Sequence, residues 1–172
     1  RRKDAILCSI HTFGKAVGCH GAAVLCSSSL LRNYLANYSQ PLIYATALSP
    51  ASVRLAHRCY RELSSEDDLR RIRLRDVVSK LRESLTELAA GRRDVRLIES
   101  SSAIHALVVP GADRVKAVAD DARRAGFDVG AIRSPTVRTG SERLRIVAHS
   151  HNTLQQVRDL CEVLTLSLDA NS

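Results

Sequence analysis

Between about Ala51 and Ala90 the apolar residues recur at the spacing of a helix face, and Gly91 stops them. That long helical rhythm divides the chain, because the patterns on its two sides differ. After it, Val95 to Ile98, Ile104 to Val109, Phe127 to Ile132 and Leu144 to Ala148 read as strands. Ala112 to Ala125 reads as a helix stopped by Gly126, and Asn152 as the cap of a last helix running to about Leu166. Strands interleaved with helices predict a small α+β domain over residues 91–172. Before Ala51, Asp4 to Ile10 and Ala22 to Cys26 are short, nearly continuous apolar runs, the pattern of parallel strands covered on both faces. The segment between them, His11 to Gly21, holds three glycines and reads as a loop. Ser27, Ser28 and Ser29 offer caps for a helix over Leu30 to Tyr38, with Leu30, Leu31, Tyr34 and Leu35 on one face. Pro41 and Pro50 bracket an irregular stretch, Leu42 to Ser49. Ser64 and Ser65, followed by Glu66, Asp67 and Asp68, read as a fresh helix start. The expected plan is the end of a larger α/β domain over 1–50, connecting helices over 51–90, and the small domain over 91–172.

Composition narrows what such a chain does. Of the 172 residues, 45% are hydrophobic and 26% charged, a globular balance. No apolar run approaches the roughly 18 residues needed to cross a bilayer. Five cysteines without CxxC spacing fit reduced thiols better than a disulfide framework, so a cytoplasmic setting is expected. The formal charge is +8 and 22 of the cations are arginine, which attracts phosphate groups of some kind. Nucleic acid is not the expected partner: only 6 aromatics are present, and no binding motif. The arginine-rich run Leu69 to Arg75 reads as a solvated helix face, with a grip on coenzyme phosphates as its rival use. Cys19, His20 and Cys26 lack zinc spacing, so no metal is expected. The sequence has no Met and its first residue is Arg1, so it is expected to be a piece of a longer protein.

The chemistry concentrates in Ile10-His11-Thr12-Phe13-Gly14-Lys15-Ala16-Val17-Gly18. A lysine just past the end of a strand, beside a glycine, sits where α/β sheets bind ligands. A phosphate-binding Walker loop is excluded, since Ala16 follows the lysine. Three readings remain open. One is a point-charge clamp on phosphate, and another a Schiff-base lysine, whose amine acts as nucleophile and then as proton carrier; the third, the default for a bare Gly-Lys, is a loop lysine with a solvated ammonium.

The segment HTFGKAVGCHGAAVLCSS resembles the cofactor-lysine segment of the α-oxoamine synthases, pyridoxal-phosphate enzymes of the aspartate-aminotransferase fold (fold type I). A second block, Pro41 to Pro50 (PLIYATALSP), is similar to the family's IYSTxxPP segment. A third, Ala131 to Val137 with Gly140 to Arg145, resembles AIRPPTVPxGxxRLR. The biotin-pathway branch is the nearest. Departures are Ser134 and Arg138 in the third block, Ala45 and Ser49 in the second, and the run Ile146 to His151 after Arg145.

The resemblance implies the fold-type I large domain's end followed by its small α+β domain, and it implies roles. Lys15 matches the catalytic lysine that binds the cofactor covalently and shuttles the substrate's α-proton. Thr12 matches a threonine that hydrogen-bonds pyridoxal 5'-phosphate, and Thr46 one that reaches the cofactor phosphate of a neighbouring subunit, which implies a homodimer with a shared active site. Thr136 falls on a substrate-contacting threonine. Arg145 falls on the arginine that pairs with the amino-acid carboxylate, a task suited to a planar guanidinium. Arg143 is read as facing away from Arg145, and His149 and His151 as alternating along a strand at a pocket edge.

The implied activity is acyl transfer: an amino acid, expected to be L-alanine, condenses with an acyl-CoA, expected to be pimeloyl-CoA, and loses CO₂. Branches that use glycine, or serine with palmitoyl-CoA, share the lysine segment and stay open. So does a non-catalytic chain that only pairs with a full-length subunit. The family's ring-stacking histidine, its pyridine-pairing aspartate and most of its acyl-CoA site precede the part matched here, so this stretch is expected to be inactive alone.

Overall fold

The computed structural model describes residues 6–64 and 68–171. They form two compact units, one ending at Asp68 and the other beginning at Leu69.

In the first unit, β1 (Cys8–Thr12) and β2 (Ala22–Cys26) pair antiparallel, with Ile10 opposite Val24 and Thr12 opposite Ala22. The parallel arrangement read from the sequence is thus corrected. An apolar run marks a strand, but not the direction of its neighbour. Ile10, Val24 and Leu25 are exposed, and because Val24 and Leu25 point to opposite faces, the hairpin is apolar on both sides. The first two residues expected in β1, Asp4 and Ala5, lie outside the described residues. Helix α1 (Ser29–Tyr38) starts where Ser28 accepts a hydrogen bond from the Leu31 amide at 3.2 Å. A short α2 (Gln40–Ile43) follows where an irregular stretch was expected, and only 44–49 stays non-helical. Helix α3 (Pro50–Leu63) has proline at its first position and Ser49 as cap, accepting from the Ser52 amide at 3.1 Å.

Ser64 ends α3: its hydroxyl donates to the Tyr60 carbonyl at 2.7 Å. That corrects the reading of Ser64 as a helix start; the rest of that cap, Ser65 to Asp67, lies outside the described residues. In the second unit α4 (Leu69–Ala90) buries Val77, Leu81 and Leu85.

The sheet of this unit is antiparallel in the order β3 (Arg96–Ile98), β4 (Ile104–Val108), β6 (Arg143–Val147), β5 (Gly130–Ile132). Leu107 and Leu144 face each other across β4 and β6 and are fully buried, as is Ile146 nearly so. On that side lie α4, α5 (Ala112–Arg124) and α6 (Leu154–Ala170), which share one core with the sheet. Each fully buried leucine contributes about 1.5–3 kcal/mol of transfer free energy. Helix α5 stops at a left-handed glycine, Gly126 (φ 91°), as expected. Helix α6 is capped by Thr153, not Asn152, and runs four residues past Leu166. Thr153 and Gln156 exchange hydrogen bonds in a capping box, Thr153 Oγ1 accepting at 3.1 Å and Gln156 Oε1 at 2.9 Å. Asn152 instead accepts from the His149 amide at 2.8 Å.

Candidate active site

The loop after β1 is built to hold Lys15 outward. The Phe13 amide donates to the Gly21 carbonyl at 2.8 Å, and the Cys19 amide to the Phe13 carbonyl at 2.9 Å, so the loop's two ends are tied together. Gly18 donates to the Lys15 carbonyl at 2.9 Å, closing a tight turn that needs Gly18 at φ 68°. Phe13 and Cys19 anchor the loop from below, packed with Ala56, Leu48 and Cys59. The Phe13 ring meets Tyr60 edge-on at 5.9 Å. Lys15 and Thr12 stay exposed above this cluster.

Gly21 explains how the second block joins the first. Its φ is 112°, and a Cβ there would come within 2.8 Å of Leu48. The closeness lets Leu48 pack on the loop, and Leu48 is two residues from Thr46. Thr46 itself is exposed. The Cys19 thiol is pushed up by burial and then by the neighbouring Cys59 thiol, which favours its protonated form.

The other candidates belong to the second unit. Arg145 lies on β6 between Ala106 of β4 and Gly130 of β5. Residues two apart in a strand share a face, so Arg143 and Arg145 point the same way, away from the core that holds Leu144 and Ile146; the reading of opposite faces is corrected. Hydrogen bonding tells them apart. Arg143 Nε donates to the Ser141 carbonyl at 2.9 Å, whereas the exposed guanidinium of Arg145 has no hydrogen bond or ion pair among the described residues. A free guanidinium on a firm strand is suited to bind an incoming carboxylate.

Thr136 sits exposed in the turn between β5 and β6, where the Ser134–Pro135 peptide is cis. Glu142 closes the end of that connection. Its Oε2 accepts from the Gly140 amide at 2.9 Å and from the Gly111 amide at 3.1 Å. Sequence reasoning missed this residue, and missed Gly130 beside Arg145, although a lone glycine in a strand pattern is a signal of close approach. His149 and His151 lie in the turn after β6 rather than on a strand; their rings stack at 5.1 Å. They do line a cavity of about 470 Å³, shared with Arg145, Asp128 and Gln156.

Thr12, Lys15 and Thr46 thus fall in the first unit, and Thr136 and Arg145 in the second. Among the described residues, no helix is long and apolar enough to cross a membrane.

No family model matches the chain. Curated relatives do. The chain is 37% identical over 161 residues to an 8-amino-7-oxononanoate synthase of Xanthomonas campestris pv. campestris, and 36% over 159 residues to one of Xylella fastidiosa. The matches cover 94% and 92% of this chain but 38% of each relative, so the chain spans a little over a third of their length. Among solved structures it is similar to the Francisella tularensis 8-amino-7-oxononanoate synthase, with a TM-score of 0.79 and 25% identity over 95% of this chain and 46% of that one. A Sphingomonas wittichii serine palmitoyltransferase shares the fold at a TM-score of 0.82 and 22% identity, over 98% of this chain and 41% of that one. The chain therefore belongs, over the stretch it covers, to the α-oxoamine synthase family: it is the end of a fold-type I large domain followed by the small α+β C-terminal domain.

Proposed function

We propose that this chain is the C-terminal portion of a pyridoxal-phosphate-dependent acyltransferase that condenses L-alanine with pimeloyl-CoA, with loss of CO₂, in biotin biosynthesis. We further propose that it works in the cytoplasm as part of a longer chain, in a homodimer with shared active sites, and is inactive as the isolated stretch. The observation that carries the reading is the anchored loop presenting Lys15, in a chain 37% identical to 8-amino-7-oxononanoate synthases.

The residues present fit that cofactor. An exposed primary amine stands one short turn past a strand end, and the exposed Thr12 is the last residue of that strand. When bound, pyridoxal phosphate supplies an electron sink for the carbanion formed at the substrate's α-carbon. This chain supplies part of what surrounds it. Lys15 Nζ anchors the cofactor and carries the α-proton. Thr12 and Thr46 orient it by donating hydroxyl hydrogen bonds, Thr46 toward the phosphate in the neighbouring subunit. Arg145 pairs with the amino-acid carboxylate, and Thr136 contacts the substrate from the β5–β6 turn.

The test is made on the full-length parent. Borohydride reduction should fix the cofactor onto Lys15, read by peptide mapping, and Lys15→Ala should lose both the label and turnover. A label on another lysine sinks the assignment. Product formation from L-alanine and pimeloyl-CoA, compared with glycine or serine and their acyl-CoA partners, decides the branch.

A further inference from the structure

Strand β5 is three residues long and spends its first position on Gly130, directly opposite Arg145. A glycine in a strand costs backbone entropy and offers no side chain to pack. Its backbone does not require one here, because its φ lies outside the left-handed region. Space is what the glycine provides. A Cβ on Gly130 would lie 3.8 Å from both Cβ and Nε of Arg145, and 3.7 Å from the Arg145 carbonyl oxygen. Since both ends of the arginine stem are equally close to that point, the stem lies across β5 over the bare backbone of Gly130. A methyl at this distance makes ordinary contact. Anything larger meets the stem and must turn it away.

We propose that Gly130 is a positioning residue for Arg145: the missing side chain is the seat of the arginine stem and fixes where its guanidinium fork meets the substrate carboxylate. The proposal rests on the reading of Arg145 given above. It differs from a structural role in one respect. Strand stability improves with a β-branched residue at position 130, whereas carboxylate recognition worsens.

The test compares Gly130→Ala, Gly130→Val and Gly130→Leu in the full-length parent with Arg145→Leu and with the double variant Gly130→Val/Arg145→Leu. Amino-acid KM should rise with side-chain size, least for Ala and on the order of ten- to a hundredfold for Val and Leu, the cost of misplacing a binding group by about 1 Å. The kcat and the acyl-CoA KM should change far less. The double variant should be no worse than Arg145→Leu alone, because Gly130 acts through that arginine. Melting temperatures are followed throughout, and Gly130→Ser takes the place of any variant that melts early. An unchanged KM in Gly130→Val, beside a raised one in Arg145→Leu, overturns the role of Gly130 and leaves that of Arg145 standing. An added loss in the double variant overturns it as well. If Arg145→Leu itself leaves KM unchanged, both readings fall.

Discussion

Glu142 reaches across 31 residues to the amide of Gly111, accepting its hydrogen bond at 3.1 Å and so tying the β5–β6 connection to the first turn of α5. Hydrogen bonds from its own amide and that of Gly111, then from Gly140, hold its carboxyl below the usual range, although burial opposes them. A carboxylate lowered in this way stabilises the fold fully above its unfolded value, and that contribution is lost as pH falls through the folded value. Glu142→Gln is expected to lower the melting temperature by several degrees at about pH 7. It should also flatten the decline seen below about pH 4.5 in the parent. Melts followed by circular dichroism across that range check both.

His105 carries the opposite liability. It faces the core from β4, is fully buried, and neither ring nitrogen has a hydrogen-bond partner among the described residues. Burial, and then the Arg82 charge, push its pKa down, so the folded state holds it neutral. The unfolded chain binds that proton first. Stability is therefore complete above about pH 6.5 and falls with acidification through that value toward the lower folded one. An unpartnered buried polar group costs about 1–3 kcal/mol. His105→Leu is expected to be neutral or stabilising by about 1 kcal/mol, and to remove the loss between about pH 6.5 and 5. Urea melts at both pH values measure it; a destabilised leucine variant would mean the imidazole has a partner.

Arg145→Leu in the full-length parent should raise the amino-acid KM by an amount equivalent to about 2–5 kcal/mol, roughly thirty- to several-thousand-fold. Cofactor absorbance should survive, and Arg145→Lys should recover only part of the loss, since an ammonium cannot form the paired hydrogen bonds. Arg143→Leu should have a much smaller effect, because its Nε is committed to the Ser141 carbonyl. A larger KM change at Arg143 would exchange the two roles.

The thiols should separate by reactivity. Cys8 is exposed, whereas burial, and then Glu87, push Cys161 up to about 11. At about pH 8 an alkylating reagent needs the thiolate. Mass spectrometry of briefly treated native protein should find Cys8 labelled and Cys161 free until denaturant is added. Rapid labelling of both would contradict the packing of α6.

Regular elements of the second unit were legible because α4, α5 and β6 carry their periodicity in local sequence. What failed depends on distant partners or on finer local signals. The apolar runs of β1 and β2 mark strands, yet pairing direction is set by the chain between them, which here folds back through the Phe13–Gly21 contact. Asn152 and Thr153 are both able to cap a helix. The decision falls to Gln156, three residues after Thr153, a signal the sequence did contain. His149 and His151 alternate like strand residues, but strand pairing of β6 ends at Val147, opposite Ile104. For the site, Lys15, Thr12, Thr46, Thr136 and Arg145 came from ordered motif blocks. Their surroundings did not, because Gly130 pairs with Arg145 and Glu142 bonds Gly111 across 15 and 31 positions, which a one-dimensional pattern does not join.

The two faces of β6 sort the consequences of inherited change. Leu144 and Ile146 look into the helices, while Arg143 and Arg145 look out. Substitutions at the even positions should act through abundance, depleting folded protein in cells while leaving the surviving molecules fully competent. Substitutions at Arg145 should leave abundance alone and alter what each molecule recognises. A survey of variants over Leu144, Arg145 and Ile146 would therefore alternate between phenotypes rescued by lower temperature or more protein and phenotypes rescued only by more substrate.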